Sequence, residues 1–333
     1  MNKNKPSKSN QYGGLLLFGG LLAVCLAGLC FGSTPMRLDT LWAGVCGEDA
    51  TARVILQYIR LPRVLGGVLA GVGLAVSGSL LQRVTNNDLA GPNIIGVNAG
   101  AGLAAILTLF AAPALAAILP LTAFCGALLT TLLIAGIAAK AGGSRSTVVL
   151  AGVAVTALLN AAISLISLLD PDVLVSYNHF SIGGLAGVQA ESLWLPAAII
   201  AAALAAALLL AKRLDLLMLG DSMASALGAR VRPLRFVALL LASASAAAVV
   251  SFAGLLGFVG LVVPHIARRM AGGGLRRQLC FSALLGGILV VLADLLGRVL
   301  IAPSEIPVGI LMAAIGAPFF FWLLVRRRVE RAI

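Results

Sequence analysis

Charge is scarce in this 333-residue chain: Asp, Glu, Lys and Arg together make up 11%, where soluble domains carry about 25%. A water-soluble globular fold is excluded on that ground. Aromatic residues are also few, at 5%, and leave no base-stacking surface, so the net charge of +12 does not imply nucleic acid. Lysine occurs only as Lys3, Lys5, Lys8, Lys140 and Lys212. None of them completes a Gly-x-x-x-x-Gly-Lys-[Ser/Thr] phosphate loop, so the chain cannot bind ATP in that way. The two histidines, His179 and His265, are far apart, and no nucleophile–base set accompanies them. The five cysteines, Cys25, Cys30, Cys46, Cys125 and Cys280, are odd in number and lack metal-ligand spacing. No metal site and no catalytic residue is expected. Acids are nearly absent from the apolar runs. Asp294 is the one clearly inside a run, four residues before Arg298 and able to pair with it, which argues against ion coupling through the bilayer.

Hydrocarbon is abundant: 60% of residues are hydrophobic and the mean hydropathy is +1.06. A spanning helix needs about 20 apolar residues. That length predicts an all-α bundle of ten spans, near 13–32, 62–81, 93–110, 114–138, 147–169, 193–211, 233–251, 254–267, 279–300 and 306–325. The seventh and eighth are separated by parity. The 32 residues between Arg235 and Arg268 carry no formal charge, yet the basic clusters on either side of them belong on one face of the membrane. Two passes are therefore required, the second short, and Gly254, Gly257 and Gly260 suit a close-packed or broken helix there. Small residues also recur at four-residue spacing in the second and tenth spans, as at Gly67 and Gly71 and at Gly309 and Ala313, which lets helix backbones approach.

The basic residues set the sidedness. With the N-terminus inside, 19 of the 24 Lys and Arg residues fall inside, and Arg37, Arg53, Arg60, Arg63 and Arg298 fall outside. No Ala-x-Ala-like site follows the first apolar run, so it reads as a retained span. The expected organisation is a cytoplasmic tail over 1–12, one transmembrane domain over 13–325 and a cytoplasmic tail over 326–333, in a multi-pass protein with both termini cytoplasmic.

One cytoplasmic stretch stands apart. Residues 214–232, running up to Pro233, are amphipathic and too polar to cross a bilayer. Gly220 interrupts the stretch, Asp221 is placed to N-cap a short helix, and Gly228 is placed to end it with a left-handed cap. Pro233 suits the first turn of the next helix. Two short helices are expected here, between spans six and seven. A chain with no motor of its own would be driven by a partner at such an island.

Several stretches resemble the permease subunits of type II ATP-binding-cassette importers for iron-siderophores, haem and vitamin B12, the FecCD-type family. They are Ile59-Arg60-Leu61-Pro62-Arg63, Ala75-Val76-Ser77-Gly78, Asn87-Asp88-Leu89-Ala90-Gly91-Pro92, Leu150-Ala151-Gly152-Val153 and Gly183-Gly184. Leu219-Gly220-Asp221 with Leu227-Gly228, then Gly257 through His265, Ala293-Asp294, Glu305 through Gly309 and Gly316-Ala317-Pro318 follow in family order and cover nearly the whole chain.

The resemblance implies that Leu219, Gly220, Asp221, Ser222, Ala224, Leu227 and Gly228 form coupling helices seated on two separate ATPase subunits. Asp221 and Ser222 would face the ATPase, and Leu219 and Leu227 would pack inward. It implies that Arg60 and Arg298, with Arg63 as a further candidate, meet acidic residues of an extracytoplasmic binding protein. It assigns the cytoplasmic gate to Ser144, Arg145, Ser146 and Thr147, where Arg145 departs from the small hydroxyl residues of the family. It assigns the pathway wall to Phe180, Ile182, Gly183 and Gly184. The implied pore holds a second copy or a sister permease in a bacterial inner membrane. ATP and magnesium would sit on the ATPase and no cofactor on this chain. The expected cargo is a ferric siderophore, with haem and cobalamin as alternatives. A chelated metal needs no ligands from the wall, so a smooth apolar surface suffices. From the residues alone, an ion-driven secondary transporter and a non-transporting scaffold remain competing classes.

Overall fold

A computed structural model describes residues 8–32, 38–142 and 144–332. Lys3, Lys5 and Arg37, used above to set the sidedness, and residues 1–7 of the N-terminal tail lie outside them. Fourteen α-helices follow one another among the described residues, with no strand between them. They are α1 (Lys8–Cys30), α2 (Leu38–Cys46), α3 (Ala50–Val54), α4 (Leu61–Thr85), α5 (Val97–Ala111), α6 (Leu119–Lys140) and α7 (Arg145–Leu169). Then come α8 (Pro171–Ile182), α9 (Trp194–Leu216), α10 (Asp221–Ala226), α11 (Val231–Ala253), α12 (Val259–Ala271), α13 (Leu275–Val299) and α14 (Val308–Ala332).

The ten predicted spans correspond to α1, α4, α5, α6, α7, α9, α11, α12, α13 and α14. Seven stretches are long and apolar enough to cross a membrane by themselves; Val97–Ala111 and Val308–Leu323 are shorter apolar helices, and α12 has 13 residues. The short eighth span thus takes the broken form that its glycines suggested. The chain between α11 and α12 is non-helical over 254–258, and Phe258 adopts a left-handed φ of 64°. It packs its ring where Gly316 of α14 has no side chain.

At the centre stands α4, where 78% of the most apolar window is buried. Lipid is as apolar as leucine, so such a helix gains its hold from close backbone packing more than from burying hydrocarbon. Gly71 of α4 faces Gly286 of α13 so closely that a Cβ on either would collide with the other's carbonyl. A Cβ on Gly78 would likewise strike the Gly260 carbonyl of α12, while one on Gly260 would meet the Leu74 carbonyl. Of the spaced small residues read from the sequence, Gly71 makes the first of these contacts, Gly67 packs on Val291 of α13 and Gly309 lies against the Ile182 carbonyl. Around the α4–α13 pair, α11 packs on α4, α6 and α9, while α5 packs on α6, α7 and α8. α1 lies at the periphery against α13, and Gly28 is its one buried residue among those described.

Three short helices were not anticipated. Asp49 caps α3 through the amides of Thr51 and Ala52, and Asp170 caps α8 through those of Asp172 and Val173. In both cases the carboxylate satisfies amides that the first helical turn leaves without partners. α2 adds the third, between α1 and α3.

Candidate functional site: two ionic ends and a cleft

The segments assigned to one side of the membrane do gather at one end of the bundle, and those assigned to the other side gather at the opposite end. The two ends keep the labels outer and inner from the Lys/Arg distribution.

At the inner end, α9 continues to Leu216 and tightens into a 3₁₀ turn over Leu217–Leu219. Gly220, at φ 97°, then reverses the chain into α10. The first of the two expected short helices is therefore the tail of α9, and only the second is separate. Gly228 ends α10 as expected. At φ 82° it lets Ala229 N–H donate to the Ala224 carbonyl and its own N–H to that of Ser225, the paired closure of a Schellman cap.

Two expectations for this segment are corrected. Asp221 does not cap α10; Gly220 holds that position, and the Asp221 carboxylate accepts from Nη2 of Arg235 on α11 at 2.7 and 2.9 Å. A buried cation nearby outcompetes the exposed amides of a short helix, because an ionised hydrogen bond is the stronger one. Leu219 and Leu227 do not pack inward. Leu217 and Ala224 do, at 0% exposure, while Leu219, Met223 and Leu227 stand more than half exposed. This apolar trio and the nearby Ser222 and Ser225 form the open face of the segment.

Behind this face the inner end is knitted by charge. Asp215, at the end of α9, pairs with Arg83 of α4 at 3.0 Å and accepts from the Leu275 amide that opens α13. Arg83 also donates to Gln278 of α13 at 2.9 Å, and Arg268 of α12 pairs with Asp88 after α4. Three elements thus meet on one aspartate. His265 lies within α12, and its ring meets Phe319 edge-on at 6.0 Å.

Ser144 caps α7 by accepting from the Thr147 amide at 3.1 Å, and its hydroxyl lies 3.0 Å from that of Ser146 and 2.6 Å from that of Thr147. The Ser144–Thr147 stretch is therefore a closed helix start, with Arg145 as the first residue of α7.

At the outer end the three candidate docking arginines are not displayed to solvent, as the docking expectation assumed. Arg60, Arg63 and Arg298 are 4%, 8% and 3% exposed. Arg63 places Nε 3.0 Å from both oxygens of Asp294 and Nη1 2.8 Å from Glu305. Arg298 closes on Asp294 at 3.1 Å, the pairing expected from their spacing, and donates to the carbonyls of Gly28 and Phe31. Arg60 donates to the carbonyls of Leu29 and Cys30. A helix ends with carbonyls that lack intrahelical partners and a partial negative charge. Two arginines therefore cap the end of α1 and hold this otherwise peripheral helix to the bundle.

Beside that cluster opens a cleft of about 510 Å³. Phe180, Ile182, Gly183 and Gly184 all line it, with Arg63, Glu305 and the broken end of α11. Gly183, at φ 72°, is the joint of this wall. Its carbonyl accepts from Gly309 N–H, while Gly184 N–H donates to Ala253 and Leu255 N–H to Phe180. The end of α8, the break after α11 and the start of α14 are thereby stitched backbone to backbone. The four proposed pathway residues are brought together; the coupling and gate residues lie at the opposite end. No three His, Cys, Asp or Glu side chains converge as a metal site among the described residues.

Sequence reasoning singled out neither Asp215 nor Asp88 nor Glu305 as a partner. A signal was present. Only Asp88, Asp215, Asp221 and Glu330 fall on the predicted inner side, against nineteen cations, so each was a strong candidate to be claimed by an arginine.

A polytopic helical membrane protein with a knitted ionic end, a capped surface helix and a cleft at the far end is a transport subunit in form. The chain belongs to the FecCD transport family, whose model matches residues 20–326. It is 36% identical over 311 residues to the Fe(3+)-citrate import system permease protein YfmE of Bacillus subtilis (strain 168), covering 93% of each chain. It is 37% identical over 324 residues to the Hemin transport system permease protein HmuU of Yersinia pestis, covering 94% of this chain and 96% of that one. Among solved structures it resembles an inward-facing conformation of a metal-chelate type ABC transporter, with a TM-score of 0.84 and 28% identity, covering 95% of this chain and 99% of the other.

Proposed function

We propose that this chain is the permease through which a ferric siderophore enters the bacterial cytoplasm across the inner membrane, driven by two separate ATPase subunits. The observation that carries the coupling part is the inner end. A short helix presents Leu219, Met223 and Leu227 outward, and Asp221–Arg235 and Asp215–Arg83 fasten it to α11 and α4. Short capped helices with ionic anchors pass on a rigid-body displacement that a loose loop would absorb. The exposed leucines and Met223, with Ser222, seat in the ATPase. ATP and magnesium belong to that partner, and this chain catalyses nothing.

A second permease copy, or a sister permease, completes the pore, and both termini face the cytoplasm. Ser144, Arg145, Ser146 and Thr147 stand at the inner mouth as its gate. An extracytoplasmic binding protein docks over the outer end. Its carboxylates reach Arg63 by displacing Glu305, whose side chain is 32% exposed, while Arg60 and Arg298 hold the rim in place. Phe180, Ile182, Gly183 and Gly184 then offer the cargo a wall without metal ligands, which suits a metal already chelated. Import of haem is a second reading, favoured by the identity with the hemin permease.

The test is ATP-driven uptake by vesicles that hold this chain, its ATPase and the binding protein, with ferric siderophores and haem as competing cargoes. Leu219→Glu with Asp221→Lys should abolish uptake and its stimulation of ATP hydrolysis. Uptake that survives both changes would refute the coupling assignment. Uptake that ignores ATP depletion but stops with an ionophore would refute the class.

A further inference from the structure

A groove of about 570 Å³ runs between the inner ends of α9 and α11. Leu210, Leu216, Leu234 and Val237 line it together with Arg213 and Arg230. No carboxylate lines it. The nearest acids are taken: Asp215 serves Arg83 and the Leu275 amide, and Asp221 serves Arg235. Arg213 and Arg230 are both exposed. An adjoining recess shares Arg230 and adds Arg232, with Asp221 as its one acid.

Depth identifies the occupant. At about 1.5 Å per helical residue, Leu210 lies about 4.5 Å from Arg213 along α9 and Val237 about 10.5 Å from Arg230 along α11, both toward the bilayer. The groove therefore begins at headgroup level and continues into hydrocarbon, which a water-soluble partner cannot enter. Two cations over an apolar slot match one ligand chemistry, a phosphate ester carrying acyl chains. Juxtamembrane arginines attract such headgroups as a rule, but here the slot binds the chains as well.

We propose that this groove holds an anionic phospholipid of the inner leaflet, its phosphate between Arg213 and Arg230 and an acyl chain along Leu210, Leu234 and Val237. Leu227 and Gly228 of the coupling segment border the same groove. The lipid thus braces the surface helix against α9 and α11, and coupling depends on the lipid composition of the membrane. The second statement rests on the coupling role proposed above; the binding site itself does not.

The experiment uses the full chain in nanodiscs of phosphatidylcholine with phosphatidylglycerol. Native mass spectrometry counts the phosphatidylglycerol retained after detergent release. With each arginine contributing as a surface cation does, Arg213→Gln with Arg230→Gln should weaken retention about 30-fold. Val237→Trp, which fills the slot and leaves both charges, should also lose the lipid, while Lys140→Gln should keep it. Retention unchanged in the double variant overturns the proposal. So does retention that inorganic phosphate abolishes, which would mark an ion site. Retention intact with ATPase capture lost would give the groove to the protein partner and overturn it too. No ATPase is needed for the lipid count, so a wrong coupling assignment would leave this result standing.

Discussion

Removing the Asp294 carboxylate is the sharpest test of the outer end. Asp294 and Arg298 are each 4% exposed at the side chain and Arg63 is 10% exposed, so the group is dry. Deleting one partner of a buried ion pair costs about 3–5 kcal/mol, because the remaining charge stays buried without compensation. Two guanidiniums lose their shared carboxylate in Asp294→Ala, but neither is left bare. Arg63 keeps Glu305, and Arg298 keeps the carbonyls of Gly28 and Phe31. The lower part of the range is therefore expected, about 3 kcal/mol. Asp294→Asn retains an acceptor and loses only the charge, so it should cost roughly half as much. Adding Arg298→Met to Asp294→Ala should recover only part of the loss, since the orphaned cation goes but the carbonyls of Gly28 and Phe31 lose their donor. The assay is thermal unfolding of the purified chain in detergent, read as monodisperse protein remaining after heating. Two outcomes would refute the reasoning: Asp294→Ala melting with wild type, or the double variant melting below the single one.

The spine offers a cleaner steric comparison. Gly78→Ala forces a methyl group into the Gly260 carbonyl and should cost about 1–3 kcal/mol or more; Gly257→Ala, which faces open space, should melt within about 0.5 kcal/mol of wild type in the same assay. Asp215→Asn should leave the chain folded but lower transport-coupled ATP hydrolysis, since it loosens the tail of α9 from Arg83 of α4; equal coupling in variant and wild type would remove Asp215 from the linkage. With the five native cysteines replaced by serine, since Cys46 is free and exposed, Ser222→Cys should react with an impermeant maleimide only in inverted membrane vesicles, whereas reaction in intact spheroplasts would reverse the sidedness.

Much of this architecture was written in the apolar runs and their basic ends, because span length and the Lys/Arg bias depend on the membrane and not on tertiary detail. The broken eighth span was legible for a related reason: charge parity demanded a second pass where the chain lacked length for a full one. The short helices α2, α3 and α8 were missed, though Asp49 and Asp170 are recognisable caps, because a search for 20-residue runs passes over them. Arg298 was expected to pair with Asp294, but Arg60 and Arg63 were read as docking arginines because nothing local distinguishes a guanidinium facing solvent from one turned onto distant partners. Arg60 meets Leu29 and Cys30 only once α1 is packed against the bundle. Which face of α10 opens outward was lost for a smaller reason. The resemblance names the coupling residues but not how a six-residue helix is turned on its bundle, and tertiary packing buries Leu217 and Ala224 in place of Leu219 and Leu227.

The distribution of stiffness then suggests how motion at one end reaches the other. α4 and α13 are locked by glycine contacts at mid-depth, by the Arg63–Asp294 ion pair at the outer end and by a hydrogen bond from Arg83 to Gln278 at the inner. Asp215 ties the tail of α9 to that pair, so a push on α10 moves the spine as a body. Compliance lies elsewhere. The chain over 254–258 has no helical ladder, and Gly183, Gly254 and Phe258 all sit at positive φ. The wall of the outer cleft is made of these joints, held by single backbone hydrogen bonds from Gly184 to Ala253, from Leu255 to Phe180 and from Gly309 to Gly183. Each such bond is worth about 1 kcal/mol net, far less than the buried ion pairs of the spine. Strain imposed from the inner end should therefore be released first where Phe180, Ile182, Gly183 and Gly184 line the cleft, which places the yielding part of the molecule there and the force-bearing part between the two ionic clusters.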